Sequence, residues 1–281
     1  MTRAARQYYE PPGAPLEAPA TATEVVAAWT QHRARLRKWL HELPQEAWGR
    51  PTRCGEWTTT GLVEHLISGA QFLGYTLHQS SKGTGTNLLA AFDPQETPAA
   101  AAAQFKGQSR DDLLAALEDV DARVADEMAA DDRNWSGPAE APPGLVCARL
   151  SVNHFLFDSW VHERDLMVPA GESPALLLDE ASAVLAYVVA LAGAAGWADD
   201  NALKRPIELD VVADDLGICV RVTRDATRTF ATFESDPGAL LRAEGSVVEL
   251  VDFATGRSTG SQLTGDPEAI AFLANLADVM S

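Results

Sequence analysis

The stretch HFLFDSWVHERDL, residues 154–166, decides how the chain is read. Two histidines, three acids and an arginine share thirteen positions with Phe155, Leu156, Phe157, Trp160, Val161 and Leu166. Burying ionisable groups is costly unless they are paired or bound to a metal, so this mixture needs an explanation. Helical spacing supplies one. Residues four apart stack on one helix face with an offset of about 40°, which puts His154, Asp158 and His162 in a ladder that Asp165 or Leu166 closes. The ladder lies beside an apolar stripe, so it is expected to face a seam of a helical bundle.

Two ligands at i and i+4 can grip one ion, but the whole ladder cannot. His154 and His162 are about 12 Å apart along the axis, too far for bonds of roughly 2 Å to one ion. The residues alone leave two pairs open, His154 with Asp158 or Asp158 with His162. They also leave open a purely structural role, with Asp158 paired to Arg164 or an indole. A third ligand has to come from another helix. His65 is the best placed, beside the Leu62 and Leu66 stripe. His32 and His41 lie among arginines and lysines and are expected in solvent, and His78 falls at a helix end. Three protein ligands leave a coordination position open, the catalytic pattern.

Working outward, Val25, Trp29, Leu36 and Leu40 mark a first helix with Thr21 or Thr23 as its cap. Leu62, Leu66, Ala70, Leu73 and Leu77 mark a second. Leu113, Leu117, Val120 and Val124 mark a third, opened by Ser109 and acids suited to the helix dipole. The fourth runs from about 145 to 167 and holds the opening stretch. A fifth covers LDEASAVLAYVVALAGAAG. Residues 80–107 read as a long polar loop, DDRNWSGPAEAPPG as a break, and KGTGT (82–86) as a loop without the context of a phosphate cradle. After residue 200 come β-branched alternating segments, IELDVVAD, GICVRVTRD and TRTFATFES, then a short helix at SVVELVDFATGR and a capped one at DPEAIAFLANLADVM. The expected organisation is an irregular arm (1–20), a helical bundle (21–200) and a small α+β domain (201–281).

The 281 residues are 46% hydrophobic and 22% charged, ordinary for a globular protein. Forty acids against 22 bases give a net charge of −18, which argues against nucleic acid or an anionic membrane as partner. The three scattered cysteines, Cys54, Cys147 and Cys219, form no disulfide framework or CxxC pair. The opening lacks the apolar run of a signal peptide, and no apolar run is long enough to span a bilayer. A cytoplasmic protein without a membrane partner is expected.

Three stretches carry a family resemblance: RCGEWTTTGLVEHL, FDSWVHERDL, and ELVDFATGR followed by LTGDPEAIAFL. In order, over residues 22 to 279, the chain resembles the mycothiol-dependent maleylpyruvate isomerase family. The resemblance implies an α+β protein, with an N-terminal DinB-like four-helix bundle and a small C-terminal α+β domain. It implies metal ligands at His65, Asp158 and His162, where the family's acid is usually glutamate, one methylene longer. His154 becomes a pocket residue that binds the cosubstrate or a residue that supports the ligands from one turn away, and Arg257 the arginine that contacts an anionic substrate. Arg257 also suits a second role, a cation satisfying carbonyls at a helix end after Gly256. Arg164 and Asp165 are expected to orient an imidazole N–H, join the domains or close a helix end.

The implied cofactors are a divalent metal, with Zn²⁺ the default by ligand type, and mycothiol as thiol cosubstrate. The implied partners are that small-molecule thiol and an electrophilic small molecule, acted on by cis-trans isomerisation or S-transfer. The polar 80–107 segment favours a transferase with a larger substrate. A non-catalytic metal-sensing protein and a metal-dependent hydrolase are the competing readings.

Overall fold

A computed structural model describes residues 6–7, 16–55, 57–89, 92–93, 96–195, 207–224, 228–234 and 241–277. The chain divides into two compact units, Met1–Gln7 with Val25–Leu176, and Tyr8–Glu24 with Leu177–Ser281.

The first unit is built on α1 (Ala22–Glu42), α2 (Thr59–Ser81), α4 (Arg110–Ala129) and α5 (Ala148–Met167), the four-helix bundle expected. Local chemistry starts each helix. Thr21 and Glu24 satisfy each other's backbone N–H groups ahead of α1, Thr58 caps α2, and Ser109 with Asp112 forms a capping box on α4. The apolar stripes meet in the core, where Leu36, Leu40, Leu62, Leu73, Leu77, Leu113, Leu117 and Val124 are wholly buried.

α5 is buried almost all the way round, so its charged residues must be satisfied from neighbouring elements. Ser159 Oγ bonds His32 Nε2 at 2.9 Å and accepts from Arg33 Nη1 at 3.1 Å. Glu163 accepts from Arg35 Nε and Nη2 at 2.9 and 3.1 Å. His32 is therefore not in solvent, as its basic neighbourhood led one to expect, but fully buried. The arginines of α1 are drawn inward by buried acids on α4 and α5, and the histidine goes with them. His41 and His78 are half-exposed and bond Glu118 and Glu127.

Two stretches read as loops contain structure. Strands β3 (Pro138–Ala141) and β4 (Gly144–Cys147) form an antiparallel hairpin turned by Pro142 and Pro143, and β3 packs on α2 and α5. Each strand has four residues, too few for alternation to stand out among prolines and glycine. Within 80–107, the alanine-rich α3 (Glu96–Ala102) packs on α2. Glu140 of the hairpin anchors the preceding turn, accepting from Thr86 Oγ1 and from the N–H groups of Leu88 and Leu89 at 2.7–2.9 Å.

The second unit is a six-stranded sheet with helices packed on it. Strands β5 (Ile207–Ala213), β6 (Ile218–Arg224), β7 (Thr229–Thr232), β8 (Arg242–Gly245) and β9 (Thr264–Gly265) join a strand of the arm, β2 (Leu16–Glu17), in the order β2-β7-β6-β5-β8-β9. The arm is thus not irregular throughout, since β1 (Arg6–Gln7) also pairs, with β4 of the first unit. Three helices belong to this unit: α6 (Leu178–Ala195), α7 (Val247–Ala254) and α8 (Pro267–Ala274).

The division falls at 176/177 and not near 200, because α6 packs against β6, β7, α7 and α8. Gly193 allows the close approach: a Cβ there would stand 2.5 Å from Thr229 Cγ2. A helix that is apolar on every side reads from sequence as one more bundle helix. No helix among the described residues is long and apolar enough to cross a membrane.

Candidate metal centre

One loop and two helices of the first unit build the site. After α1 the chain runs through Arg50–Thr58, pinched shut by a bridge between Pro51 and Thr58 and by Thr52 N–H to the Trp57 carbonyl at 3.1 Å. Gly55, at φ 53°, supplies the left-handed residue that the turn requires. The loop delivers Arg53, Cys54 and Trp57, then α2 begins and carries His65 inward. α5 carries the acid and histidine ladder.

His65, Asp158 and His162 come together. Their donor atoms all lie within 4.8 Å of one another. Asp158 Oδ2 is 3.4 Å from His65 Nε2, and its Oδ1 is 3.4 Å from His162 Nε2. Donors about 2 Å from a tetrahedral zinc lie about 3.3 Å apart, so these separations suit one small cation. Neither buried ring nitrogen of His65 has a hydrogen-bond partner, which a metal bond at Nε2 would cure. The three side chains keep 12–16% of their surface exposed. One carboxylate and two imidazoles form a borderline donor set that takes zinc, nickel or iron.

Asp158 does not pair with Arg164. That guanidinium lies over the Trp160 ring at 3.2 Å, donates to the Trp160 carbonyl and, beyond the helix end, reaches the Ala175 carbonyl. Asp165 sits behind His162, whose Nδ1 donates to its Oδ2 at 2.9 Å. Cys54 Sγ donates to the same oxygen at 2.9 Å and lies 3.5 Å from His162 Nδ1. The Trp57 ring meets the His65 ring edge-on at 5.0 Å. Sequence reasoning singled out neither Cys54 nor Trp57 individually. The Cys and Trp flanking a glycine turn just before the His65 helix were the available signal.

His154 stands outside the donor groups found among the described residues. It is fully buried and packs edge-on against Phe155 and Phe157, at 5.4 and 5.8 Å. Arg257 lies in the second unit, after Gly256, which takes φ 74°. Its Nη1 donates to the Thr255 carbonyl at 3.4 Å.

The electrostatics separate these groups. Burial opposes ionisation of Asp158, but the His162 and His65 imidazoles outweigh it and hold the carboxyl well below its ordinary range. Burial likewise opposes charging His162, and the Asp158 carboxylate, with hydrogen bonds to Asp158, Asp165 and Cys54, carries its pKa well above 6.5. His154 goes the other way. Burial lowers it to about 4, against partial support from Asp158, so it is neutral at pH 7.

A pH dependence of the metal-free protein follows. The unfolded chain protonates His154 near the ordinary histidine value of 6.5, and the folded chain only near 4. Stability is lost as pH falls through that window, by up to roughly 3 kcal/mol. His162 acts over a separate range. With its folded pKa above 6.5, its contribution is full below the unfolded value and fades as pH rises through the folded one. Denaturant unfolding is therefore expected to show maximal stability near pH 6.5, and His154→Asn to flatten the acid side. An acid slope unchanged in that variant contradicts the assignment.

The family described as mycothiol maleylpyruvate isomerase N-terminal domain matches residues 29–167, the span from α1 to the end of α5. Two uncharacterized proteins, from two strains of Mycobacterium tuberculosis, are each 30% identical over 144 residues. The match covers 50% of this chain and 66% of each relative. The crystal structures of mycothiol-dependent maleylpyruvate isomerase and of a mutant of it superpose with TM-scores of 0.60 and 0.59, at 17% identity. They cover 88% of this chain and 93% of theirs. The fold of this chain is the fold of those structures.

Proposed function

We propose, from the match of residues 29–167 to the mycothiol maleylpyruvate isomerase N-terminal domain family, that the chain is a metal-dependent enzyme of that family using mycothiol to attack an electrophilic small molecule. The observation that carries the reading is the meeting of His65, Asp158 and His162, with donors spaced for one cation. These three residues hold the ion, with zinc the default. With a divalent ion held by these residues, the site would supply the positive charge that lowers a thiol's pKa and favours its thiolate.

The chain's own residues set the conditions for that chemistry. Asp158 contributes one negative charge and the imidazoles none, so a cation held there keeps net positive charge for a thiolate. His154, neutral and packed against phenylalanines one turn before Asp158, is assigned to the thiol cosubstrate's side of the site, where it adds no competing charge. Arg257 is assigned to an anionic group of the electrophile, for which guanidinium is suited. Thiol addition across an activated double bond, rotation and expulsion of the thiol give isomerisation. Retention of the new carbon–sulfur bond gives S-transfer, the outcome towards which the long polar 80–107 segment tilts the reading.

The test is turnover by the zinc-loaded full chain with mycothiol and either maleylpyruvate or a panel of electrophiles, followed by mass spectrometry. Product formation should require both metal and thiol. Arg257→Ala should raise KM for an anionic substrate about 10- to 100-fold, matching the roughly 1.5–3 kcal/mol of a charged hydrogen bond, with metal content unchanged. Thiol-independent turnover would favour a hydrolase, and metal binding without any turnover a sensing protein.

A further inference from the structure

His162 belongs to two donor groups at once. Its Nε2 faces Asp158 in the group with His65, and its Nδ1 faces a second group of Cys54 Sγ and Asp165. From this arrangement we infer that the second group is no second metal site: Asp165, clamped by Arg53 and Cys54, is a positioning residue that presets His162 as a ligand. The inference rests on the metal-centre reading above and concerns what holds the ligand ready.

Asp165 has no exposed surface, and both its oxygens are engaged. Oδ1 accepts from Arg53 Nε at 3.0 Å, and Oδ2 accepts from Cys54 Sγ and His162 Nδ1, each at 2.9 Å. A cation placed among Cys54, Asp165 and His162 would lie beside the Arg53 guanidinium and would break these bonds. Held as they are, the same bonds perform another task. A histidine that gives one ring N–H to a carboxylate has its tautomer and ring plane fixed, and the other nitrogen is left as a more basic ligand. Here the nitrogen left over is Nε2, the one directed at Asp158.

The clamp itself is fixed in the backbone. Arg53 N–H donates to the Asp165 carbonyl at 3.1 Å, so the loop grips both the main chain and the side chain of this residue. The same closed loop ends in Trp57, whose ring abuts His65. Both imidazoles face Asp158 at 3.4 Å through Nε2, but only His162 is also held at Nδ1, by a charged hydrogen bond to Asp165, whereas His65 Nδ1 makes no hydrogen bond. Asp165 is expected to govern the site's affinity through His162 only.

The experiment is a Zn²⁺ competition titration against a chromophoric chelator, on the full chain and three variants, with denaturant stability measured alongside. Asp165→Asn keeps the shape and removes the charge, and should weaken Zn²⁺ binding about 10- to 100-fold, the usual cost of losing an outer partner. Glu163→Gln removes another buried carboxylate of α5, one that pairs with Arg35 and touches no donor; it should lower stability and leave affinity unchanged. Should Asp165→Asn fail to fold, Arg53→Gln removes the bond that Arg53 Nε gives to Oδ1 while leaving the carboxylate in place, and should cost about tenfold, the lower end of that range. In the Zn²⁺-loaded protein, the ¹⁵N signal of His162 Nδ1 should move in both variants at this site and not in Glu163→Gln. Affinity in Asp165→Asn equal to that of the unaltered chain, or an equal loss in Glu163→Gln, overturns the inference. An unaltered chain that binds no Zn²⁺ brings down the metal-centre reading itself, a distinguishable result.

Discussion

Replacing His65 by alanine lowers divalent-metal affinity by more than about 100-fold and abolishes thiol-dependent turnover, while the chain stays folded. The magnitude follows from the donor count. Losing an outer partner of a ligand costs about 10- to 100-fold, and losing one of three protein ligands costs more. That the fold survives follows from how little His65 contributes to it. Its ring nitrogens make no hydrogen bond, 14% of its side chain is exposed, and the bond that Ser68 Oγ donates to it uses the backbone carbonyl, which alanine keeps. The Trp57 ring loses its edge contact, a small cost. Chelator competition reads the affinity and far-ultraviolet circular dichroism the helix content. Wild-type affinity in His65→Ala contradicts the ligand assignment.

Asp121→Ala is the opposite case, expected to cost about 3–5 kcal/mol of stability, the range for breaking a buried pair by removing one partner, and to leave metal affinity intact. Asp121 is 2% exposed and accepts from Arg33 Nε at 3.0 Å and from Arg37 Nη1. Arg33 is itself buried, so alanine strands a guanidinium in the bundle, with Ser159 Oγ as a remaining neutral acceptor. No residue of this group is a donor in the candidate site. Urea unfolding with and without Zn²⁺ should show a large loss common to both conditions. A loss under about 1 kcal/mol would mean that the pair is screened by water, as surface pairs are.

The bundle was legible because its helices repeat apolar residues at a helical period and open on strong caps, as Ser109 and Thr58 do. The centre was legible in part for the same reason. The i and i+4 spacing of Asp158 and His162 puts both on one face, although the choice of partner for Asp158 came from family resemblance and not from the residues alone. What stayed hidden depends on long-range pairing. Nothing local says that Arg53 will meet Asp165, or that His32 will follow its neighbouring arginines toward Ser159 and Asp121. The β3–β4 hairpin is too short and too rich in proline to show a period of two. α6, apolar on every side, gives no hint that the face it needs is a sheet and not another helix.

The measurement that bears most directly on the whole account is an anomalous difference map from crystals grown with Zn²⁺. The account predicts one strong peak bonded to His65 Nε2, Asp158 and His162 Nε2 at about 2.0–2.2 Å, with Asp165 still on Nδ1 of His162. A map without density among these residues, or with its only peak on Cys54 and Asp165, would contradict it.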